Sequence, residues 1–192
     1  SRTWSGSRGR GRASAPSRGS SVWRGILAGI GAGASGGTLL ASTRDGSPAM
    51  THPRFHAAKI AVLHDGRLLT ILRDDYDWIP WPDLWEIPGG EGEPGESPEA
   101  CVLRELEEEL GLRLTEADLV YKRAYPSPRF PGETSWMLAA EIDGPEPAGV
   151  ALGDEGQDWA WMPVGDFLAH PRGVDFLQDW VRDYLGARDE EP

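Results

Sequence analysis

Cysteine is almost absent, with Cys101 standing alone in 192 residues. A single thiol excludes an internal disulfide, so nothing here asks for an oxidising compartment and a cytoplasmic location is expected. Long apolar runs are missing too. The weakly apolar stretch 25–41 (GILAGIGAGASGGTLLA) is Gly-heavy and shorter than the roughly 20 residues of a bilayer-spanning helix, so no membrane partner is expected. The four His residues show no metal-like spacing. Positive charge is scarce in the body of the chain: residues 50–192 hold twelve Lys and Arg against thirty Asp and Glu. Sequence-independent binding to duplex DNA or RNA relies on Lys and Arg neutralising phosphates, so a nucleic-acid polymer is a poor partner for this acidic body. Phosphates met through divalent cations fit it better. No internal repeat is visible.

What is present divides in two. Residues 1–49 hold seven Arg, one Asp, eleven Gly and ten Ser, a composition that resists folding on its own. They read as a disordered extension, or as non-native sequence ahead of a natural start at Met50. The competing reading is a basic leader followed by a targeting hydrophobic region. Residues 50–192 read as one domain, and the 39% hydrophobic content of the whole chain suits a real core.

Apolar runs at 57–63 and 68–72 flank His64-Asp65-Gly66-Arg67, and Asp-Gly between such runs predicts a hairpin. Further β-like runs lie at 84–88, 119–124, 135–142 and 157–162, with Gly89 and Gly90 ending the first of these. A helix then starts with Ser97 as N-cap, Pro98 at its first position and Glu99 at the positive end of its dipole. Leu103, Leu106 and Leu110 mark its apolar face and Gly111 its stop. A short helix is expected at 164–169. An amphipathic one at 174–185 would bury Phe176, Leu177, Trp180, Val181 and Tyr184. Strands on both sides of a central helix, with a closing helix, predict a mixed α/β sandwich.

The central helix has a second face. Glu105, Glu108 and Glu109 are three and four residues apart and project from one side, where like charges repel. Mg²⁺ favours carboxylates, water and phosphates, and would offset that repulsion. For an arbitrary EEE run a solvated acidic face is the plainer account. The whole of 90–112 (GEGEPGESPEACVLRELEEELGL) decides between them. It fits G-x5-E-x7-R-E-U-x-E-E-x-G-U, with U aliphatic, at Gly90, Glu96, Arg104, Glu105, Leu106, Glu108, Glu109, Gly111 and Leu112. Seven such identities arise by chance roughly once in 10⁸ starting positions at ordinary residue frequencies.

This stretch resembles the signature, or box, of the Nudix (MutT-like) hydrolase family, and LWEIPGG ahead of it resembles that family's strand leading into the loop. More loosely, the resemblance covers 57–169. It implies an α/β/α sandwich with a mixed sheet and a catalytic loop–helix–loop. It also implies hydrolysis of a phosphoanhydride with Mg²⁺, for which Mn²⁺ could substitute. Carried over by position, Arg104, Glu105, Glu108 and Glu109 form the catalytic set. Glu105 and Glu109 would be direct metal ligands, Glu108 a ligand or the partner of one, and the Gly89 carbonyl a further ligand. Glu105 is the first choice for base or bridging ligand. Arg104 would pair with a box carboxylate, Glu96 first, while Gly90 and Gly111 would provide turns that no side chain fits. Glu155, in GDEGQDW, sits where relatives supply an extra metal-binding carboxylate, with Asp154 its rival.

For the rest of the substrate, Trp78 and Trp81 are candidates to stack on a base, whereas Trp85 reads as core packing. Arg129, in YPSPRFPGET, is a candidate for a phosphate contact, and Pro128 lies close to where ADP-ribose hydrolases of the family carry a Pro. Cys101 reads as a small buried residue. The resemblance implies a small nucleotide substrate, a nucleoside diphosphate linked to another group. A (d)NTP or oxidised (d)NTP, giving NMP plus diphosphate, comes first; ADP-ribose or a nucleotide sugar is the alternative. The reading from another class is a non-catalytic nucleotide-binding module, which an intact box disfavours. A homodimer is left open.

Overall fold

The computed structural model describes residues 54–190. The extension expected at 1–49 lies outside them. In chain order come β1 (Ala57–His64), β2 (Arg67–Leu72), β3 (Trp85–Glu86), β4 (Gly89–Glu91), α1 (Pro98–Leu110), a 3-10 turn (Glu116–Asp118), β5 (Leu119–Pro126), β6 (Thr134–Glu141), β7 (Asp158–Pro163), α2 (Val164–Leu168) and α3 (Asp175–Glu190).

The Asp65-Gly66 turn forms as expected. Both residues take positive φ, 47° and 69°, and His64 pairs with Arg67. That is the turn whose twist suits a two-residue hairpin. Beyond it the two strands part. They pair only at Leu63↔Leu68 and His64↔Arg67. Lower down, β4 lies along β1 from Ala57↔Glu91 to Lys59↔Gly89, and β3 lies along β2 at Ile71↔Glu86 and Leu72↔Trp85. The segment Trp85 to Glu91 is therefore wedged into a fork, with the Ile60 N–H donating to the Pro88 carbonyl (2.9 Å). One expectation is corrected here: Gly89 and Gly90 do not end a strand but form one. The other edge of β1 runs parallel to β6 from Ala57↔Ser135 to Leu63↔Glu141, and β5 completes that side antiparallel. The outer edge of β2 is covered by β7, from Arg67↔Pro163 to Leu72↔Asp158.

Strand alternation divides the core. Ala58, Ile60 and Val62 face α1, which contributes Cys101, Val102, Leu106 and Leu110. Ala61 and Leu63 face the opposite layer, where Phe167 of α2 and Leu177, Trp180, Val181 and Tyr184 of α3 pack. The result is the expected α/β/α sandwich around a mixed sheet. Two details differ. Leu103 and Phe176 are only partly buried, because the helices turn Cys101/Val102 and Leu177/Val181 to the sheet instead. The helix α3 also runs to Glu190, past the expected end at 185. Among the described residues no helix is long and apolar enough to cross a membrane.

Candidate active site

The caps that set α1 also aim its carboxylates. The Ser97 hydroxyl accepts from the Ala100 N–H (3.0 Å), and Gly111, left-handed at φ 65°, donates its N–H to the Glu107 carbonyl. Between these ends Arg104 ties the helix to the loop before it. Its Nε donates to Glu96 Oε1 (2.9 Å), its Nη1 to Glu105 Oε1 (2.7 Å) and Glu108 Oε2 (3.1 Å), and its Nη2 to the Glu91 carbonyl (3.3 Å). The planar guanidinium serves all four because its donors fan out in one fixed fork. Arg104 holds the Glu96 carboxyl below the usual carboxylate range, helped by the Glu93 N–H.

Glu105 and Glu109 are the inward pair. The Glu105 side chain is 18% exposed, and burial raises its pKa against the opposing pull of Arg104. Gly90 lies against it, so that a Cβ there would overlap the Glu105 carboxylate. Gly90 is thus not the turn expected of it but a flat stretch of β4 that leaves room for a carboxylate; Gly111 does make its turn. Glu109 Oε2 accepts from the Gly89 N–H (2.9 Å). Burial pushes the Glu109 carboxyl up to about 8, with the Lys59 charge opposing. Glu108 points outward, 61% exposed.

Three charged residues that sequence reasoning missed sit beside this pair. Lys59 Nζ donates to the Gly89 carbonyl (2.5 Å) and to Glu86 Oε2 (2.9 Å), while Arg73 Nη1 donates to Glu86 Oε1. The Gly89 carbonyl, expected as a metal ligand, is here held by an ammonium. A signal was available: Lys59 interrupts the apolar run AAKIAVL, and Glu86 interrupts LWEIP. A charge inside a buried strand needs a partner.

The remaining candidates are spread around the box. The loop 150–157 is fastened to the end of α1, with Ala151 N–H on the Leu110 carbonyl (3.0 Å) and Gly153 N–H on the Glu109 carbonyl (2.7 Å). Asp154 and Glu155 are exposed on it. Arg129 is drawn to the box loop, its Nη1 lying 3.3 Å from Glu91 Oε1. Trp78 is 75% exposed and stacks on Tyr76, with ring centroids 4.6 Å apart. Trp81 turns the other way. Its ring packs against Phe176 of α3 at 5.0 Å, so it serves the core rather than offering a free face. Trp85 joins the same core, as expected. Among the described residues no three His, Cys, Asp or Glu side chains converge closely enough to hold a metal ion. Arg104 and the Gly89 N–H each hold a different carboxylate in place. The oxygen donors that could serve a hard cation are Glu105, Glu109, the Gly89 carbonyl and the outward Glu108.

The Glu109 shift has a measurable consequence. With a carboxyl raised from 4.5 to about 8, the folded chain keeps a proton that the unfolded chain has released. That stabilisation is complete at low pH and is lost as pH rises toward about 8. Thermal melts in EDTA should therefore show stability falling between about pH 5 and pH 8, by on the order of 2 kcal/mol. Glu109→Gln should flatten the slope. An equally steep fall in that variant would place the titration elsewhere.

A NUDIX domain model matches residues 54–184. The chain belongs to the NUDIX domain family. Among its curated relatives is a MutT-like protein of Streptomyces ambofaciens, 43% identical over 77 residues that make up 38% of this chain and 46% of that protein. Another is the NAD-capped RNA hydrolase NudC of Mycobacterium tuberculosis, 35% identical over 138 residues, 71% of this chain and 37% of NudC. The chain thus spans less than half the length of either. The fold is shared with a bifunctional NMN adenylyltransferase/ADP ribose pyrophosphatase of Francisella tularensis, solved with AMP and a Mn ion. Its TM-score is 0.60 at 21% identity, over 70% of this chain and 42% of that one.

Proposed function

We propose that this NUDIX chain hydrolyses a phosphoanhydride in a small nucleotide, a nucleoside diphosphate linked to another group, with Mg²⁺, or Mn²⁺ in its place. The observation that carries the reading is the inward pair Glu105 and Glu109, one fitted against Gly90 and the other held by the Gly89 N–H. Two enclosed carboxylates beside a backbone carbonyl form an oxygen set of the kind that a hard divalent ion fits. Glu105, Glu109 and the Gly89 carbonyl would hold the ion, with Glu108 or Glu155 completing the set. Bound there, it would neutralise the diphosphate and lower the pKa of a water.

The chain's own groups supply the rest. Glu105, which Arg104 holds and Gly90 leaves room for, would serve as bridging ligand or take the proton of the attacking water. Arg104 keeps the carboxylates in register with the loop. Arg129 contributes a guanidinium at the box loop for a phosphate, and Trp78 a free aromatic face for a base. A (d)NTP, oxidised or not, is the leading substrate, and ADP-ribose or a nucleotide sugar the alternative. The acidic body favours a free nucleotide over a capped RNA strand.

The test is a hydrolysis panel on the full chain with Mg²⁺: dNTPs, 8-oxo-dGTP, ADP-ribose, nucleotide sugars, NAD⁺ and NAD-capped RNA, with Glu109→Gln as control. Cleavage of one class, lost in the variant, establishes the reaction. Silence across the panel would favour a non-catalytic nucleotide-binding module. On the selected substrate, Trp78→Ala should raise KM about tenfold with kcat nearly unchanged, since stacking on one base contributes roughly 1–3 kcal/mol. An unaltered KM would remove Trp78 from the site.

A further inference from the structure

Lys59 lies where the reading above needs positive charge. Its side chain is 13% exposed and its ammonium is shared between the Gly89 carbonyl (2.5 Å) and Glu86 Oε2 (2.9 Å). Gly89 uses both of its peptide groups here, the carbonyl on Lys59 and the N–H on Glu109. One glycine thus joins a built-in cation to the innermost box carboxylate. The charge of Lys59 also reaches Glu105 and Glu109, drawing both back toward ionisation. Glu86, 7% exposed, takes Lys59 on one oxygen and Arg73 on the other. Lys59 therefore keeps a buried ionic partner even if it gives up the Gly89 carbonyl. An ammonium and a divalent cation seek the same carbonyl oxygen, and they repel each other across a few ångström of protein.

We propose that Lys59 is the resident counter-cation of the box, holding the Gly89 carbonyl and balancing Glu105 and Glu109 while no divalent ion is bound, and weakening the ion's binding by competing for that oxygen. The proposal rests on the reading of Glu105, Glu109 and Gly89 as the cation site. Lys59 is a positioning residue in it. It lets an acidic helix fold against the sheet without metal, and it keeps the site from loading at trace cation concentrations. With an ion on the Gly89 carbonyl, the ammonium would keep Glu86 as its partner, so no buried carboxylate would be left alone.

The experiment is a titration of Mn²⁺ into the full chain, following free Mn²⁺ by electron paramagnetic resonance, together with Tm in EDTA. It compares the unaltered chain, Lys59→Met, Lys59→Met/Glu86→Gln and Glu109→Gln. The double variant removes the Glu86 charge along with that of Lys59, leaving no carboxylate oxygen at 86 without its cation, and keeps the measurement possible if Lys59→Met alone unfolds. Removing Lys59 should tighten Mn²⁺ binding at least about tenfold while lowering Tm in EDTA, as expected when a like charge leaves a partly buried site. A lowered Tm with Mn²⁺ affinity unchanged or weakened would reduce Lys59 to a structural residue and overturn the proposal. If the unaltered chain shows no Mn²⁺ uptake that Glu109→Gln abolishes, the cation site itself is misassigned and the proposal falls with it.

Discussion

Glu105→Gln and Glu109→Gln should each lower kcat on the selected substrate by about 10³-fold, the several kcal/mol that charge neutralisation at a metal site contributes. Both substitutions keep shape and leave an oxygen for existing donors: Arg104 can still donate to residue 105, and the Gly89 N–H to residue 109. The fold should therefore survive. In EDTA, Glu109→Gln should melt no lower than the unaltered chain, because an amide in that enclosure needs no counter-charge. Single-turnover rates and melts on the same samples separate the two effects. Unchanged rates in both variants would remove the box helix from the chemistry.

The second large effect separates two neighbouring glycines. Gly89 takes φ 126°, and a Cβ there would run into the Ala58 carbonyl and the Lys59 Cα, which are backbone and cannot step aside. Gly89→Ala should cost about 3 kcal/mol, adding a strained conformation to a clash, and lower Tm by roughly 10 °C in a domain of this size. Gly90 meets only the carboxylate of Glu105, the mobile end of a side chain. Gly90→Ala should therefore melt within a few degrees of the unaltered chain, yet lose about 10²-fold in kcat as Glu105 is pushed aside. Equal Tm losses in the two variants would mean that Gly90 is a structural turn after all.

That contrast shows where sequence reasoning reached and where it stopped. The hairpin at Asp65-Gly66, the caps of α1 and the box itself rest on interactions a few residues long, and all were legible. So was the Arg104–Glu96 pair, because eight residues on a loop and one helix leave little freedom. The strand at Gly89 and Gly90 was not, since two glycines read as a break. Its conformation is imposed by β1, some thirty residues earlier. The cluster of Lys59, Glu86 and Arg73 was hidden for the same reason: its members sit on three different segments, and only the fork between β1 and β2 brings them together. Trp81 looked free by its Pro-rich loop, but its surroundings depend on Phe176, almost a hundred residues away.

The pairing of β2 with β7 joins Arg67 to Pro163 and Leu72 to Asp158, which has a bearing on how the chain is made. During synthesis the box emerges complete long before β6 and β7 exist. Until they arrive β1 lacks its parallel neighbour, and β2 carries a bare apolar edge of the kind that recruits other chains. A ribosome-bound or proteolysed fragment ending before residue 158 would thus carry every box carboxylate and still tend to aggregate. High contact order of this sort also slows folding. An intact signature marks a working site only once the last third of the domain has closed over the sheet.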